Sequence, residues 1–186
     1  MKRIFDFLLS IFLIMLLAIP MLLIALCVRI TSSGSSLHFS DRVGKDNKIF
    51  RMPKFRSMLI ETPEVASHLL DKPDDYLTPI GKLLRSSSLD ELPQLFSVIK
   101  GEMSFVGPRP ALFNQEDLIK LRVENGIHKL LPGITGWAQV NGRDNINIED
   151  KVELDLEYMN NYSFWLDVRI LWMTVLKVIS RTGVSH

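Results

Sequence analysis

The chain holds a single cysteine, Cys27, so it carries no disulfide framework, and a reducing compartment is the expectation. Its four histidines, His38, His68, His128 and His186, are scattered without ligand spacing, which leaves no zinc site in the pattern. There is no Gly-x-x-x-x-Gly-Lys phosphate loop, no Gly-x-Gly-x-x-Gly turn and no Gly-x-Ser-x-Gly elbow, so the common nucleotide folds and serine hydrolases lose their support. A formal charge of +1 carries no message about nucleic acid, though its distribution along the chain matters. At 186 residues there is room for one domain, or one domain plus a membrane segment.

What is abundant is apolar sequence at the N-terminus. From Ile4 to Val28 only Asp6, Ser10 and Pro20 interrupt it, and a straight helix of that length would cross a bilayer core of about 30 Å. It is too long for a cleaved signal peptide, and Leu26 before Cys27 spoils a small-residue cleavage site. Positive charge flanks both ends, with Lys2 and Arg3 before it and Arg29, Arg42, Lys45, Lys48, Arg51, Lys54 and Arg56 after it, whereas a spanning helix carries a bias. Pro20 frees a backbone carbonyl and can bend the helix, so the segment can return to the face it entered. A proline-kinked spanning helix is the competing reading.

After a Thr-Ser-Ser-Gly-Ser-Ser linker, Leu37 to Val43 and Ile49 to Met58 flank Gly44 to Lys48 and predict a hairpin. Lys54 and Arg56 share one face of its second strand, either as a basic wall beside a phosphate or as a solvated edge. Ile80 to Arg85 predicts a short amphipathic helix. Ser88 and Glu91 then have the spacing of a capping box, which predicts a helix running from Ser88 to Ile99 and ended by Gly101. Its first turn carries Asp90 and Glu91 at a positive helix end that also attracts phosphate. The plainer account is that the two acids only complement the dipole.

Met103 to Val106 is strand-like, and in Gly107-Pro108-Arg109-Pro110 the prolines fix two torsions, so Arg109 is presented from a stiff turn. Glu116 to Asn125 predicts a helix closed by Gly126. The glycine-dense run from Leu131 to Arg143 reads as irregular or strand-like, either approaching a ligand closely or making a turn-rich core connection. Asp150 to Tyr158 predicts another helix. Phe164 to Arg181 sets Phe164, Val168, Leu171, Trp172, Val175 and Ile179 against Asp167, Thr174, Lys177 and Arg181 at helical spacing. With Trp165 and Trp172 it suits the headgroup layer, and the apolar stripe alone equally suits a core-facing helix.

Five ordered blocks carry a family resemblance over nearly the whole chain. They are Lys-Phe-Arg-Ser-Met at Lys54 to Met58, Ile-Gly-Lys-Leu-Leu-Arg at Ile80 to Arg85, Ser-Leu-Asp-Glu-Leu-Pro-Gln-Leu at Ser88 to Leu95, Gly-Glu-Met-Ser-Phe-Val-Gly-Pro-Arg-Pro at Gly101 to Pro110, and Pro-Gly-Ile-Thr-Gly-Trp-Ala-Gln-Val-Asn-Gly-Arg at Pro132 to Arg143. In them the chain resembles the monotopic phosphoglycosyl transferases, the bacterial sugar transferase family, in its short stand-alone form. The resemblance implies an α+β fold, mostly α. Residues 1–30 are then a re-entrant helix-break-helix anchor, and residues 31–186 a catalytic domain on the cytoplasmic face of the inner membrane, with an interfacial helix over 164–181. One departure is Ile19-Pro20, where such proteins usually carry Ser-Pro, so the kink is kept while the serine's help with freed backbone groups is lost.

The chemistry implied is transfer of a sugar 1-phosphate from a UDP-sugar to a polyprenyl (undecaprenyl) phosphate, with release of UMP, as the first membrane step of glycoconjugate synthesis. By resemblance Asp90 is the nucleophile, the cofactor is magnesium, and Glu91 is its ligand. Arg85, Arg109, Arg143, Lys54 and Arg56 are the candidates for the diphosphate and nucleotide, with Arg109 placed first and Lys54 and Arg56 last. Short members often use N-acetylated amino or deoxyamino sugars. Two other classes remain: a non-catalytic membrane-anchored module, and a glycosyltransferase that moves the sugar without its phosphate and releases UDP.

Overall fold

The computed structural model describes residues 2–63, 65, 72–142 and 147–180; Arg143, Arg181, His68, His186 and the side chain of Ile179 lie outside this set. Helix α1 (Lys2–Thr31) is followed by strands β1 (Leu37–Val43) and β2 (Ile49–Phe55), then α2 (Gly81–Ser86), α3 (Gln94–Lys100) and β3 (Ser104–Val106). Next come α4 (Glu116–Glu124), β4 (Gly133–Thr135), α5 (Trp137–Asn141), α6 (Ile148–Asn160) and α7 (Phe164–Ser180). Among the described residues the fold is mostly helical α+β, with two small sheets: β1 and β2 pair antiparallel with Leu37 opposite Phe55, and β3 and β4 pair parallel with Ser104 beside Gly133.

Helix α1 continues through Pro20 instead of breaking there. The residues that interrupt its apolar run explain themselves by where they point. Asp6 is buried and accepts hydrogen bonds from Ser104 Oγ (2.8 Å) and the Phe105 backbone N–H (3.4 Å), while Ser10 Oγ donates to the Asp6 carbonyl (2.7 Å). On that inner face Leu9, Leu13 and Ile14 pack against the main core of Phe50, Met52, Leu95, Val98, Met103, Phe105 and Ile170. Toward the other end Met21, Ile24, Ala25 and Val28 pack against Phe55 and Leu84. The outer face, including Leu8, Phe12, Met15, Leu16, Ile19, Leu22, Leu23 and Leu26, is exposed.

Helix α7 repeats this arrangement, turning Asp167 and Thr174 to the domain together with the core residue Ile170. Asp167 accepts from Lys2 Nζ and from Tyr158 Oη, both at 2.7 Å, and Thr174 Oγ1 lies 2.7 Å from Thr135 Oγ1. Meanwhile Trp165 is 77% and Trp172 63% exposed, with Val168, Val175 and Leu176 beside them. A helix folded for water puts its apolar stripe inward. This one hydrogen-bonds its polar residues to the domain and turns its tryptophans outward, which is the arrangement for an apolar or interfacial medium. Phe5 stacks edge-on against Phe164 at 5.6 Å, so the outer faces of α1 and α7 meet at that point.

Three expectations need correcting. The hairpin's second strand stops at Phe55, short of Met58. The helix expected from Ser88 is divided into a 3-10 turn over Leu89–Glu91 and an α-helix that starts only at Gln94. Ser88 sits in the left-handed region (φ 55°) and makes no side-chain cap, and Glu91 does not reach back to the backbone because two cations hold its carboxylate. In the 131–143 run the strand-like reading holds for Gly133–Thr135, and Gly133 and Gly136 serve backbone-to-backbone approach, as in the turn-rich core connection. A Cβ on Gly133 would overlap Gly107 N, and one on Gly136 would overlap the Gly107 carbonyl. Trp137 to Asn141 then forms a short helix in what was expected to be irregular or strand-like.

Candidate active site

The hairpin register puts His38, Ser40 and Arg42 of β1 opposite Lys54, Met52 and Phe50 of β2, so that Arg42 and Lys54 belong to one face. That face packs on the 3-10 turn carrying Asp90 and Glu91. Glu91 is the hub: its Oε1 accepts from Lys54 Nζ and from Arg109 Nη2, both at 2.7 Å. Lys54, ranked last from sequence, is central. Its companion Arg56 lies past the strand end and donates from Nε to the Ser35 carbonyl (2.8 Å), away from the acids. Arg85 donates to Met58 Sδ (3.0 Å), and its charge reaches Asp90. Arg143 lies outside the described residues.

Asp90 is 8% exposed and has no hydrogen-bond partner among the described residues. Burial pushes its carboxyl up to about 6 against the pull of Lys54, with the neighbouring Glu91 charge adding to the rise. Burial alone would raise Glu91 as well, but Arg109 and Lys54 outweigh it and hold that carboxyl well below the usual carboxylate range. Lys54 is pulled down by burial, partly offset by Glu91. Two adjacent carboxylates are thus driven apart. One stays charged as an anchor, and the other is a poised group whose charge is not spent on a hydrogen bond.

Arg109 is presented by a turn whose carbonyls are held from three sides. Lys2 Nζ of α1 donates to the Val106 carbonyl (2.8 Å), Arg122 Nη1 of α4 to the Arg109 carbonyl (2.8 Å), and Arg42 Nη1 of β1 to the Pro110 carbonyl (3.2 Å). Arg122 is itself fixed by Asp155 of α6, with Nη2 and Nε at 2.6 and 3.1 Å from Oδ2. Sequence reasoning missed Arg42, Arg122 and Asp155. The one signal was an arginine beside Leu118 and Leu121 on the apolar side of α4; Arg42 becomes visible only once the strand register is known.

Among the described residues no group of three or more His, Cys, Asp or Glu side chains could hold a metal. The donors that exist, Asp90 and the second oxygen of Glu91, fit magnesium only in the way it is held beside phosphates, with one or two carboxylates completed by phosphate oxygens and water.

Comparison with known proteins shows the family. The family model described as "Bacterial sugar transferase" matches residues 1–181. An uncharacterized sugar transferase, EpsL, of Bacillus subtilis is 43% identical over 190 residues, covering 100% of this chain and 91% of that protein. The UDP-glucose:undecaprenyl-phosphate glucose-1-phosphate transferase of Escherichia coli is 38% identical over 95% of this chain, and the match takes up 40% of that longer protein. The UDP-N-acetylgalactosamine-undecaprenyl-phosphate N-acetylgalactosaminephosphotransferase of Aeromonas hydrophila is 36% identical over 98% of this chain and 44% of its own length. With a family model matched across almost its whole length and a relative that it covers nearly end to end, the chain belongs to the bacterial sugar transferase family.

Proposed function

We propose that this protein transfers a sugar 1-phosphate from a UDP-sugar to undecaprenyl phosphate through a covalent intermediate on Asp90, as the first membrane step of glycoconjugate synthesis. The observation that carries this reading is the contrast between the two acids: Glu91 is locked by Lys54 and Arg109, while Asp90 is buried beside them without a hydrogen bond among the described residues. A carboxylate oxygen of Asp90 attacks the phosphorus next to the sugar, forming an acyl phosphate as the bond to the bridging oxygen breaks, and UMP leaves with that oxygen. An oxygen of the lipid phosphate then attacks the same phosphorus, regenerating the Asp90 carboxylate and leaving a polyprenyl diphosphate sugar. Arg109 and Lys54, joined by Arg85, offset the charge of the diphosphate and orient it, which is most of what phosphoryl transfer asks of a protein. Glu91 would hold magnesium, which when bound would supply further charge neutralisation.

The same reading sets the protein as a monotopic enzyme on the cytoplasmic face of the inner membrane, with α1 re-entrant. In its support, both ends of α1 pack on one domain, Lys2 and Asp6 at one end and Val28 at the other. A crossing would drag α3 and β3 into the bilayer. Cysteines at residue 2 and at Ser33 should show equal accessibility to an impermeant thiol reagent in intact cells; opposite accessibility would mean a spanning helix.

The test of the chemistry is incubation with a panel of UDP-sugars, including glucose, galactose and N-acetylated amino sugars. UMP should be released, and a donor labelled in the phosphate next to the sugar should mark the wild-type protein without any lipid phosphate. Asp90→Asn should take no label. Release of UDP would favour plain sugar transfer, and a labelled Asp90→Asn protein would remove Asp90 from the nucleophile's role.

A further inference from the structure

Arg42 is the cation in this site that the two acids leave over. It lies on the same hairpin face as Lys54, beneath the turn that presents Arg109, and the segment after Pro110 fastens it there: Val43 N–H donates to the Ala111 carbonyl (2.9 Å) and Arg42 bridges to Leu112. Its Nε donates to Ser40 Oγ (3.1 Å) and its Nη1 to the Pro110 carbonyl (3.2 Å). It forms no ion pair with a described carboxylate, and the nearby Glu91 already gives one oxygen to both Lys54 and Arg109. Burial and repulsion by Arg109 draw its guanidinium down to about 10, with Glu91 returning only part of the difference.

A partly buried guanidinium held by neutral oxygens beside a second arginine is an unfavourable arrangement unless an anion completes it. From this geometry we infer that Arg42 and Arg109 form a two-guanidinium subsite for a phosphate group of the substrates. This rests on the transferase reading above for the identity of the phosphate, either the donor's diphosphate or the lipid's phosphate, but not for the existence of the subsite. Arg42 then has two tasks. One arm steadies the Pro110 carbonyl, and the remaining charge meets the phosphate.

Inorganic pyrophosphate is the probe, titrated calorimetrically into the full-length protein in detergent or nanodiscs. Arg42→Gln keeps an amide donor for the Pro110 carbonyl and removes the charge. It should weaken pyrophosphate roughly ten- to hundredfold, the worth of one charged hydrogen bond, with an unchanged melting temperature. In turnover assays a raised KM for the UDP-sugar assigns the subsite to the donor, and a raised KM for undecaprenyl phosphate assigns it to the acceptor. Pyrophosphate binding equal to wild type would overturn the subsite, even if kcat falls, because Arg42 would then act only through the Pro110 carbonyl.

A second measurement needs no variant. Pyrophosphate should protect Arg42 of the wild-type protein from phenylglyoxal, read by peptide mass spectrometry, and bound pyrophosphate without that protection would equally overturn the proposal. Failure of the transferase reading looks different: no UMP from any UDP-sugar, with pyrophosphate still bound through Arg42.

Discussion

Two clusters of charge a short way apart on this fold are built to opposite rules. Arg122 and Asp155 form a balanced pair with side chains 10% and 2% exposed, fully used in binding each other and the Arg109 carbonyl. Around Glu91 the balance is broken: one oxygen serves two cations, Arg42 stands beyond them, and Asp90 keeps its own charge uncommitted. A matched pair is finished when the chain folds. An unmatched one is completed by something that arrives, and that difference separates scaffold from site together with exposure, since Arg109 is partly open to water and the Arg122–Asp155 pair is not.

The comparison breaks first at the balanced pair. Asp155→Asn leaves the Arg122 guanidinium buried without its acid, and loss of one partner of such a pair costs about 3–5 kcal/mol, so thermal melts should show the largest destabilisation of any single charge change. If the melting temperature holds, Arg122 is not a structural cation. Glu91→Gln comes next. The amide cannot neutralise both Lys54 and Arg109, yet Arg109 is 46% exposed and can turn to water, so the stability cost is smaller, about 1–2 kcal/mol. Turnover at saturating magnesium should still fall at least about a hundredfold. A variant as active as wild type would return Glu91 to a purely structural role.

The smallest effect sharpens the comparison through pH. If Asp90, raised to about 6, is the proposed nucleophile, it must be ionised to attack, so the rate of UMP release should climb as pH rises from 5 to 7 with an inflection near 6, whereas Glu91 stays charged throughout. The stability effect has the opposite sign. Because the folded state holds the Asp90 proton more tightly than the unfolded chain, its contribution to stability is present below the unfolded value and is lost as pH climbs through 6. Asp90→Asn should therefore flatten this part of the stability profile, and an unchanged slope would argue against the raised value.

Much of the fold was legible from periodicity alone. The hairpin, α4, α6 and α7 come out within a few residues of their expected limits, and Gly101 and Gly126 stand at helix ends with positive φ as turn chemistry requires. What escaped was everything decided by tertiary neighbours. The Ser88 box is a valid local pattern that lost to Lys54 and Arg109 competing for the Glu91 carboxylate. Lys54 and Arg56 looked equivalent because they share a strand face, but the strand ends between them and only Lys54 reaches the site. Helix α7 had the right stripe, and no count of apolar positions reveals which side of a helix meets the protein.

The bond from Lys2 to the Val106 carbonyl bears on how this enzyme is handled at the bench. The residue that steadies the first carbonyl of the turn presenting Arg109 belongs to α1, and the same helix fills the core with Leu9, Leu13 and Ile14 and satisfies Ser104 through Asp6. Trimming residues 1–30 to gain solubility would not liberate a catalytic domain; it would open the main core and leave Asp167 without its cation. Here the apolar N-terminal helix is a wall of the folded domain, and a preparation that keeps the fold has to keep something apolar against the exposed outer side of that helix.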